Sequence, residues 1–444
     1  MGIYKEYDIR GVVPSEINEK KAYEIGMAAA KFLESKTLIV GRDGRISSEK
    51  LKKALVRGIT DYGVDVIDIG LVSTPIFYYA NVKLKKRGIM VTASHNPKEY
   101  NGFKISDEKA IPFVYGTGVR RIGELAGKKI PCPGKKGKIA RKSVVSSYLR
   151  HIKSKFEKSD FSGVSVVADF SNGAGAVAKG IFSRLKIRNK VICSKIDGRF
   201  PCHGPNPLIR GSAKMLGETV KKEKAGLGVI LDGDADRVFF VDEKGNLVKT
   251  DCSFAILARD ALRRRKGNVY YDLRFSRVVA EEIRRAGGTP VMKRVGSSYY
   301  KDAMRRKGGV ISGEYSGHMM YRENHCIDDG IYAALRMMAL LATEKKSLSE
   351  IAAPLMKYFS SDEISLSVSD KDNVFRAIEK KYSRNVVMFL DGISVYARDY
   401  WFNVRKSNTQ PLIRLKIEAT SKKILERMTE RLKAEIKNAG KKQE

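Results

Sequence analysis

Three aspartates spaced two apart, Asp232, Asp234 and Asp236 in LGVILDGDADRVFFVDE at 227–243, are the densest chemistry in the chain. In an extended segment alternate residues point the same way, so three carboxylates would leave one side. Such anions repel one another unless a cation lies among them, and oxygen-only donors favour Mg²⁺ or Ca²⁺ over softer ions. A calcium-binding EF-hand is the nearest rival, because Glu243 falls at the twelfth loop position. Arg237 stands where that loop requires glycine, however, and both flanks read as strands. A solvated acidic turn between strands would use the same residues.

Three further segments carry polar side chains after or within an apolar run. In GIMVTASHNPKEYNGFKI at 88–105, Ser94 offers a hydroxyl at a strand end and Lys104 follows. There is no GxSxG elbow, and His95 beside the serine would ordinarily point elsewhere, so a hydrolase triad is unconvincing and a turn serine is the plain alternative. In VISGEYSGH at 310–318, alternation would present Glu314, Ser316 and His318 together, a donor and acceptor set suited to sugar hydroxyls, or else a hydrogen-bonded turn. In VRKSNTQP at 404–411, Arg405, Ser407, Asn408 and Thr409 could grip a phosphate through a guanidinium, hydroxyls and backbone N–H groups, or form an ordinary hairpin loop.

The elements that must position these groups follow one repeated pattern. TLIVGRDGR to VDVIDIG, VSVVADFSNGAG to KVICSKID, and NVYYDLRFSR to TPVMKRVG each read as strand, helix, break, strand. In the first, Leu51, Ala54, Leu55 and Ile59 recur at helical spacing behind Ser47, a fitting N-cap. Such alternation argues for βαβ layers with substantially parallel sheets. The last 85 or so residues differ. ISLSVSD and PLIRLKIEA alternate, with Ile413, Leu415 and Ile417 on one face and Arg414, Lys416 and Glu418 on the other, and Ile424, Met428, Leu432 and Ile436 mark a closing amphipathic helix. This predicts an α+β unit with a half-exposed, mainly antiparallel sheet. The expected fold class is α/β: three tandem similar α/β domains with mixed sheets plus a C-terminal α+β domain. Expected limits are 1–142, 143–246, 247–358 and 359–444.

The 444 residues are 43% hydrophobic and 30% charged, a core-forming balance that excludes a disordered or collagen-like chain. No apolar stretch approaches the ~18 residues of a membrane span, and MGIYKEYDIRG lacks the apolar block of a signal peptide. Cys132, Cys193, Cys202, Cys252 and Cys326 form no CxxC pair, so reduced thiols in a cytoplasmic protein are expected. A net charge of +35 raises nucleic acid as a partner. The basic clusters are dispersed and not interleaved with aromatics, so a lysine-rich surface that draws in anionic small substrates is favoured.

YDIRG at 7–11, GRDGRISS at 41–48, TASHNP at 92–97, DGRFPCHGPNPL at 197–208, DGDADR at 232–237, GEYSGH at 313–318 and RKSNTQP at 405–411 occur in order along the whole chain. Together they resemble the α-D-phosphohexomutase superfamily, and within it the phosphomannomutase/phosphoglucomutase branch. The resemblance implies four domains, heart-shaped around a central cleft, that interconvert hexose 1-phosphate and hexose 6-phosphate (mannose, glucose or both). The implied intermediates are an enzyme phosphoserine and a hexose 1,6-bisphosphate, the latter also an activator.

It implies that Ser94 carries the phosphoryl group, that Asp232, Asp234 and Asp236 bind Mg²⁺ with a phosphate oxygen on Ser94, and that Glu314 and Ser316 hold sugar hydroxyls. Arg405, Ser407, Asn408 and Thr409 would hold the phosphate that is not transferred. Arg10, Lys104 and Arg237 would offset charge, Tyr7 would line the cleft and His95 would orient the phosphoserine. His318 and Lys104 are the candidate bases. Arg294 would contact the substrate, in a segment where the family often has a Gly-His pair and this chain has Gly296 and Ser297. Asn408 and the threonine of TASHNP lean away from the alternative, a phosphoglucosamine mutase. A basic nucleic-acid binder on the same fold is the other alternative. Either a monomer or a homodimer is compatible with the sequence.

Overall fold

The computed structural model describes residues 2–132, 134–406 and 412–441. Each predicted strand–helix–strand repeat forms a parallel pair. Thr37–Arg42 lies beside Asp65–Leu71, Ser165–Asp169 beside Arg188–Ile192, and Asn268–Asp272 beside Thr289–Lys293. Around these pairs stand three mixed sheets. The first has six strands and gains antiparallel partners in Tyr100–Ser106 and Ile9–Val12. The second and third have four strands each, closed by the antiparallel edges Val238–Val241 and Met319–Tyr321. The central strand Leu227–Leu231 is buried at every residue, as expected of a strand covered on both faces. In the fourth unit all strand pairs are antiparallel, and the helix Lys422–Ala439 lays Met428, Leu432 and Ile436 on the sheet.

One apolar core runs from the first unit through the third, containing Phe77, Tyr148, Phe170, Phe254 and Tyr332, whereas the fourth unit has its own. Contacts between the fourth unit and the third include polar ones, the usual character of interfaces between domains. This corrects the expectation of a half-exposed terminal sheet. Lys416 and Glu418 are buried. Glu418 accepts hydrogen bonds from the backbone N–H of Arg277 at 3.1 Å and from Trp401 Nε1 at 2.8 Å, while Lys416 Nζ lies 4.8 Å from the centroid of the Tyr315 ring. The alternation is real, but its polar face is covered by a neighbouring unit.

Two local expectations also need correction. The helix Ser48–Asp61 buries Leu51, Ala54, Leu55 and Ile59 as predicted, yet Ser47 makes no side-chain cap bond; its hydroxyl accepts instead from Asn101 Nδ2 at 2.8 Å. The cysteines are not all reduced. Cys193 and Cys202 form a disulfide with Cα atoms 6.2 Å apart, while Cys132, Cys252 and Cys326 are free. A nine-residue excursion returns the chain to its start, which spacing alone does not reveal. No helix among the described residues is long and apolar enough to cross a membrane.

Candidate active site

Three loops leave the carboxyl ends of parallel strands, where ligands of α/β sheets gather. The Ser94 loop follows Gly88–Val91, the aspartate loop follows Leu227–Leu231, and the Glu314 loop follows Ile311–Gly313. They meet a cleft of ≈ 660 Å³ that the fourth unit completes with Glu363, Arg405 and Arg414. Tyr7, Arg10, Ser94, His95, Lys104, Asp236, Arg237, Glu314, Ser316 and His318 line the remainder.

Ser94 is buried and takes φ +51, a left-handed conformation that non-glycine residues hold only where the surroundings enforce it. Its N–H donates to Thr92 Oγ1 at 2.9 Å, and Thr92 in turn donates to the buried carboxylate of Asp43 at 2.7 Å. Arg45 donates to the carbonyls of Ser94 and Asn96, each at 2.7 Å, and to those of Pro97 and Tyr100. So fixed, Ser94 Oγ donates to Asp232 Oδ2 at 2.9 Å and lies 3.3 Å from His95 Nδ1. His95 therefore faces the serine, contrary to the expectation from its position, and burial followed by nearby Arg237 pushes its pKa well down.

Carboxylate oxygens of Asp232, Asp234 and Asp236 lie within 4.8 Å of one another, all buried. The convergence is as expected but its cause is not. The segment is a tight turn, with Ala235 at φ +63 and its N–H donating to the Asp232 carbonyl at 3.1 Å, not an extended strand. Burial, then the charges of Asp236 and Asp234, push the Asp232 pKa well above the carboxylate range. Burial works the same way on Asp236, but Lys104 and Arg237 hold its pKa below the usual value. Lys104 bridges Asp234, at 2.8 Å, and Asp236. Asp234 Oδ1 and Asp236 Oδ1 are buried without a hydrogen-bond donor. Crowded, undercompensated oxygen donors of this kind fit a hard divalent cation such as Mg²⁺.

Glu314, Ser316 and His318 also lie on a tight turn instead of an alternating strand: the Glu314 N–H donates to the His318 carbonyl at 2.9 Å, and Gly317 takes φ +95. All three still line the cleft. Burial raises the Glu314 pKa to about 7 against the pull of Arg274, whose Nη2 donates to Glu314 Oε1 at 3.3 Å. His318 Nε2 accepts from Arg237 Nε at 3.1 Å, and Nδ1 lies 3.5 Å from Asp328 and 3.8 Å from Asp236. Burial, then Arg237, lower its pKa to about 3, so the ring is neutral.

Arg10 Nη1 donates to Asn96 Oδ1 at 2.7 Å, and Tyr7 OH donates to the Val295 carbonyl at 2.9 Å, joining the first unit to the third. Arg405 donates to Glu363 at 2.7 Å. Ser407, Asn408 and Thr409 lie outside the described residues. Arg294 stacks 4.7 Å from the Tyr299 ring centroid and is not among the cleft-lining groups, in contrast to its neighbours Val295 and Gly296. Sequence reasoning missed Arg45, Arg274 and Glu363. GRDGR carried Arg45 in plain view, but its four carbonyl partners lie about 50 residues away along the chain.

Comparison with known proteins agrees with this architecture. Residues 1–117, 146–245 and 249–359 match the family descriptions "Phosphoglucomutase/phosphomannomutase, alpha/beta/alpha domain" I, II and III, and residues 363–435 match the corresponding C-terminal domain. A phosphomannomutase of Methanocaldococcus jannaschii is 34% identical over 97% of this chain and 96% of that protein. A phosphomannomutase/phosphoglucomutase of Pseudomonas syringae pv. tomato is 35% identical over 99% and 96%. The crystal structure of a phosphoglucomutase/phosphomannomutase family protein from Burkholderia thailandensis superposes with a TM-score of 0.89 at 28% identity, covering 99% and 97%.

Proposed function

Because the chain belongs to the phosphoglucomutase/phosphomannomutase family, we propose that it interconverts hexose 1-phosphate and hexose 6-phosphate through a phosphoserine at Ser94. The observation that carries this reading is the convergence of Ser94, the aspartate trio, Glu314 and Arg405, contributed by four units, on one cleft. The limits 1–142, 143–246, 247–358 and 359–444 remain our division of those units.

Phosphoryl transfer asks the protein mainly to align groups and offset charge. Mg²⁺ held by Asp232, Asp234 and Asp236 with a phosphate oxygen on Ser94 would supply part of that offset. The chain itself supplies Arg10, Arg237 and Lys104 on the cleft wall. Phospho-Ser94 donates its phosphoryl group to O6 or O1 of the sugar, giving a hexose 1,6-bisphosphate. The bisphosphate turns end for end, and the other phosphate returns to the serine. Glu314 and Ser316 read hydroxyls available in both orientations, while Arg405, with Ser407, Asn408 and Thr409, holds the phosphate at rest.

Of the two base candidates, Lys104 is held as an ammonium: burial opposes the charge, but Asp234 and Asp236 raise its pKa well above the usual value. His318 is neutral. Once a substrate phosphate draws Arg237 aside, His318 Nε2 is free to take the hydroxyl proton, and the carboxylates of Asp328 and Asp236 near Nδ1 stabilise the imidazolium.

Arg274 lines the cleft and donates to Glu314 at 3.3 Å, a cation beside the sugar-reading carboxylate that opposes an amino sugar. With Mg²⁺ and a trace of glucose 1,6-bisphosphate, kcat/KM is expected to be higher for mannose 1-phosphate or glucose 1-phosphate than for glucosamine 1-phosphate. Preference for glucosamine 1-phosphate would reverse the substrate assignment; no isomerisation of any of them would remove the mutase reading. Generic RNA binding should be lost at about 200 mM salt, as for a merely basic surface.

Glu314 gives a pH signature. With its pKa raised by burial to about 7, the carboxylate is ionised above that pH and protonated below it. Only the ionised form accepts from two sugar hydroxyls without giving up an acceptor site, so KM is expected to rise as pH falls below about 7. Glu314→Gln should raise KM at pH 8 and flatten this limb. An unchanged limb in the variant would assign it to another group.

A further inference from the structure

We propose that Cys193 and Cys202 are a reversible dithiol/disulfide site whose oxidised state holds the loop carrying Ser94 in its working position. This deepens, and rests on, the reading of Ser94 as the phosphoryl carrier.

The disulfide closes the excursion 193–202 in the second unit. Asn172, buried, ties that excursion at four points. Its N–H donates to the Cys193 carbonyl at 2.7 Å and its Nδ2 to the Lys195 carbonyl at 3.0 Å, and it accepts from the N–H groups of Asp197 at 3.0 Å and Cys202 at 3.1 Å.

The outer face of the excursion presses on the first unit around Arg45. A Cβ on Gly198 would meet the Ile46 nitrogen at 2.4 Å, and one on Gly44 would meet the Ile196 side-chain Cγ2 at 2.2 Å, so the Gly198 backbone packs on that of Ile46 and the Ile196 side chain packs on Gly44. The Phe200 ring lies 5.1 Å from the Arg45 guanidinium, and Arg45 holds the carbonyls of Ser94, Asn96, Pro97 and Tyr100. Just past the disulfide, the Pro205 carbonyl accepts from Gly233 N–H at 3.1 Å, inside the aspartate loop. A change in the excursion therefore reaches both the serine and the carboxylates by contiguous packing.

The site is also equipped for exchange. Both cysteines are half-buried, so a reductant can reach them. Asp169, His203 and Cys193 bring one ligand atom each within 4.8 Å of one another, with His203 Nε2 3.0 Å from Asp169 Oδ2. Burial opposes protonation of His203, but Asp169 raises its pKa above the usual value, and a cationic imidazole beside sulfur favours the thiolate. Reduction needs a dithiol, small or protein-borne. One of its thiolates attacks a protein sulfur, the S–S bond breaks to a mixed disulfide, and the second thiolate displaces the other protein thiol. Two electrons and two protons pass to Cys193 and Cys202, and the reductant leaves as its own disulfide. Reoxidation by a disulfide of the same class is the reverse.

The test compares the full-length protein oxidised and reduced, with thiol titre by mass spectrometry, kcat and KM, and amide hydrogen exchange across residues 92–97. Reduction is expected to lower kcat about tenfold with little change in KM, within the usual range of coupling between distinct sites, and to speed exchange in that loop. Cys193→Ser and Cys202→Ser should match the reduced enzyme and no longer respond, whereas Cys132→Ser should respond like wild type. Unaltered kcat and exchange on verified reduction would refute the proposal, as would a full response in Cys193→Ser. Faster exchange without any phosphoryl transfer in either state would leave the coupling standing and count instead against Ser94 as carrier.

Discussion

Ser94→Ala is expected to lower kcat by about four decades or more, the scale on which removal of a covalent nucleophile acts, with KM little altered. The hydroxyl is the group that takes and returns the phosphoryl; Thr74 Oγ1 also donates to the trio, to Asp234 Oδ2 at 2.6 Å, but Ser94 is the one of the two that lines the cleft. The variant should fold normally. Alanine tolerates φ +51 no worse than serine does, and Arg45, Thr92 and Asp43 hold the loop through backbone groups that remain. Rates measured alongside thermal unfolding check both statements. A variant that unfolds at the wild-type temperature and turns over at near-normal rate would show that the carrier lies elsewhere.

The second large effect is expected from removal of divalent cation. Asp232 is pushed toward protonation by burial and by Asp236 and Asp234, and the Asp234 Oδ1 and Asp236 Oδ1 atoms lack donors. Lys104, Thr74, Ser94 and the Arg237 N–H donate to the cluster and still leave those two oxygens without a donor. Chelation should therefore lower kcat about a hundredfold to a thousandfold, the effect of losing one preorganised electrostatic partner, and added Mg²⁺ should restore it. Binding to the folded state alone should also raise Tm with Mg²⁺ concentration. Asp234→Asn should abolish the thermal shift as well as the turnover. Full activity in the presence of chelator would contradict the metal assignment.

Much of the frame was legible because it is locally encoded. The three parallel pairs follow from β-rich runs separated by helical spacing, and the closing helix from Met428, Leu432 and Ile436. The candidate residues were legible as residue types, but their geometry was not. Asp232 to Asp236 and Glu314 to His318 converge through tight turns with positive φ at Ala235 and Gly317, where an extended chain was expected. What stayed hidden depends on packing between distant segments. Arg45 acts on carbonyls from Ser94 to Tyr100, Arg274 reaches Glu314, and Lys416 and Glu418 are covered by the third unit; nothing near them in sequence announces the partner. The Cys193–Cys202 pairing is local, nine residues apart, but spacing alone does not reveal the turn that brings the two sulfurs together.

The most direct test is to follow the phosphoryl group itself. Protein incubated with Mg²⁺ and labelled glucose 1,6-bisphosphate, then digested and mapped by mass spectrometry, is expected to carry one labelled phosphate on the peptide containing Ser94. Unlabelled hexose monophosphate should chase that label off within one turnover. Label on a different residue, or isomerisation proceeding while Ser94 stays unmodified, would contradict the account.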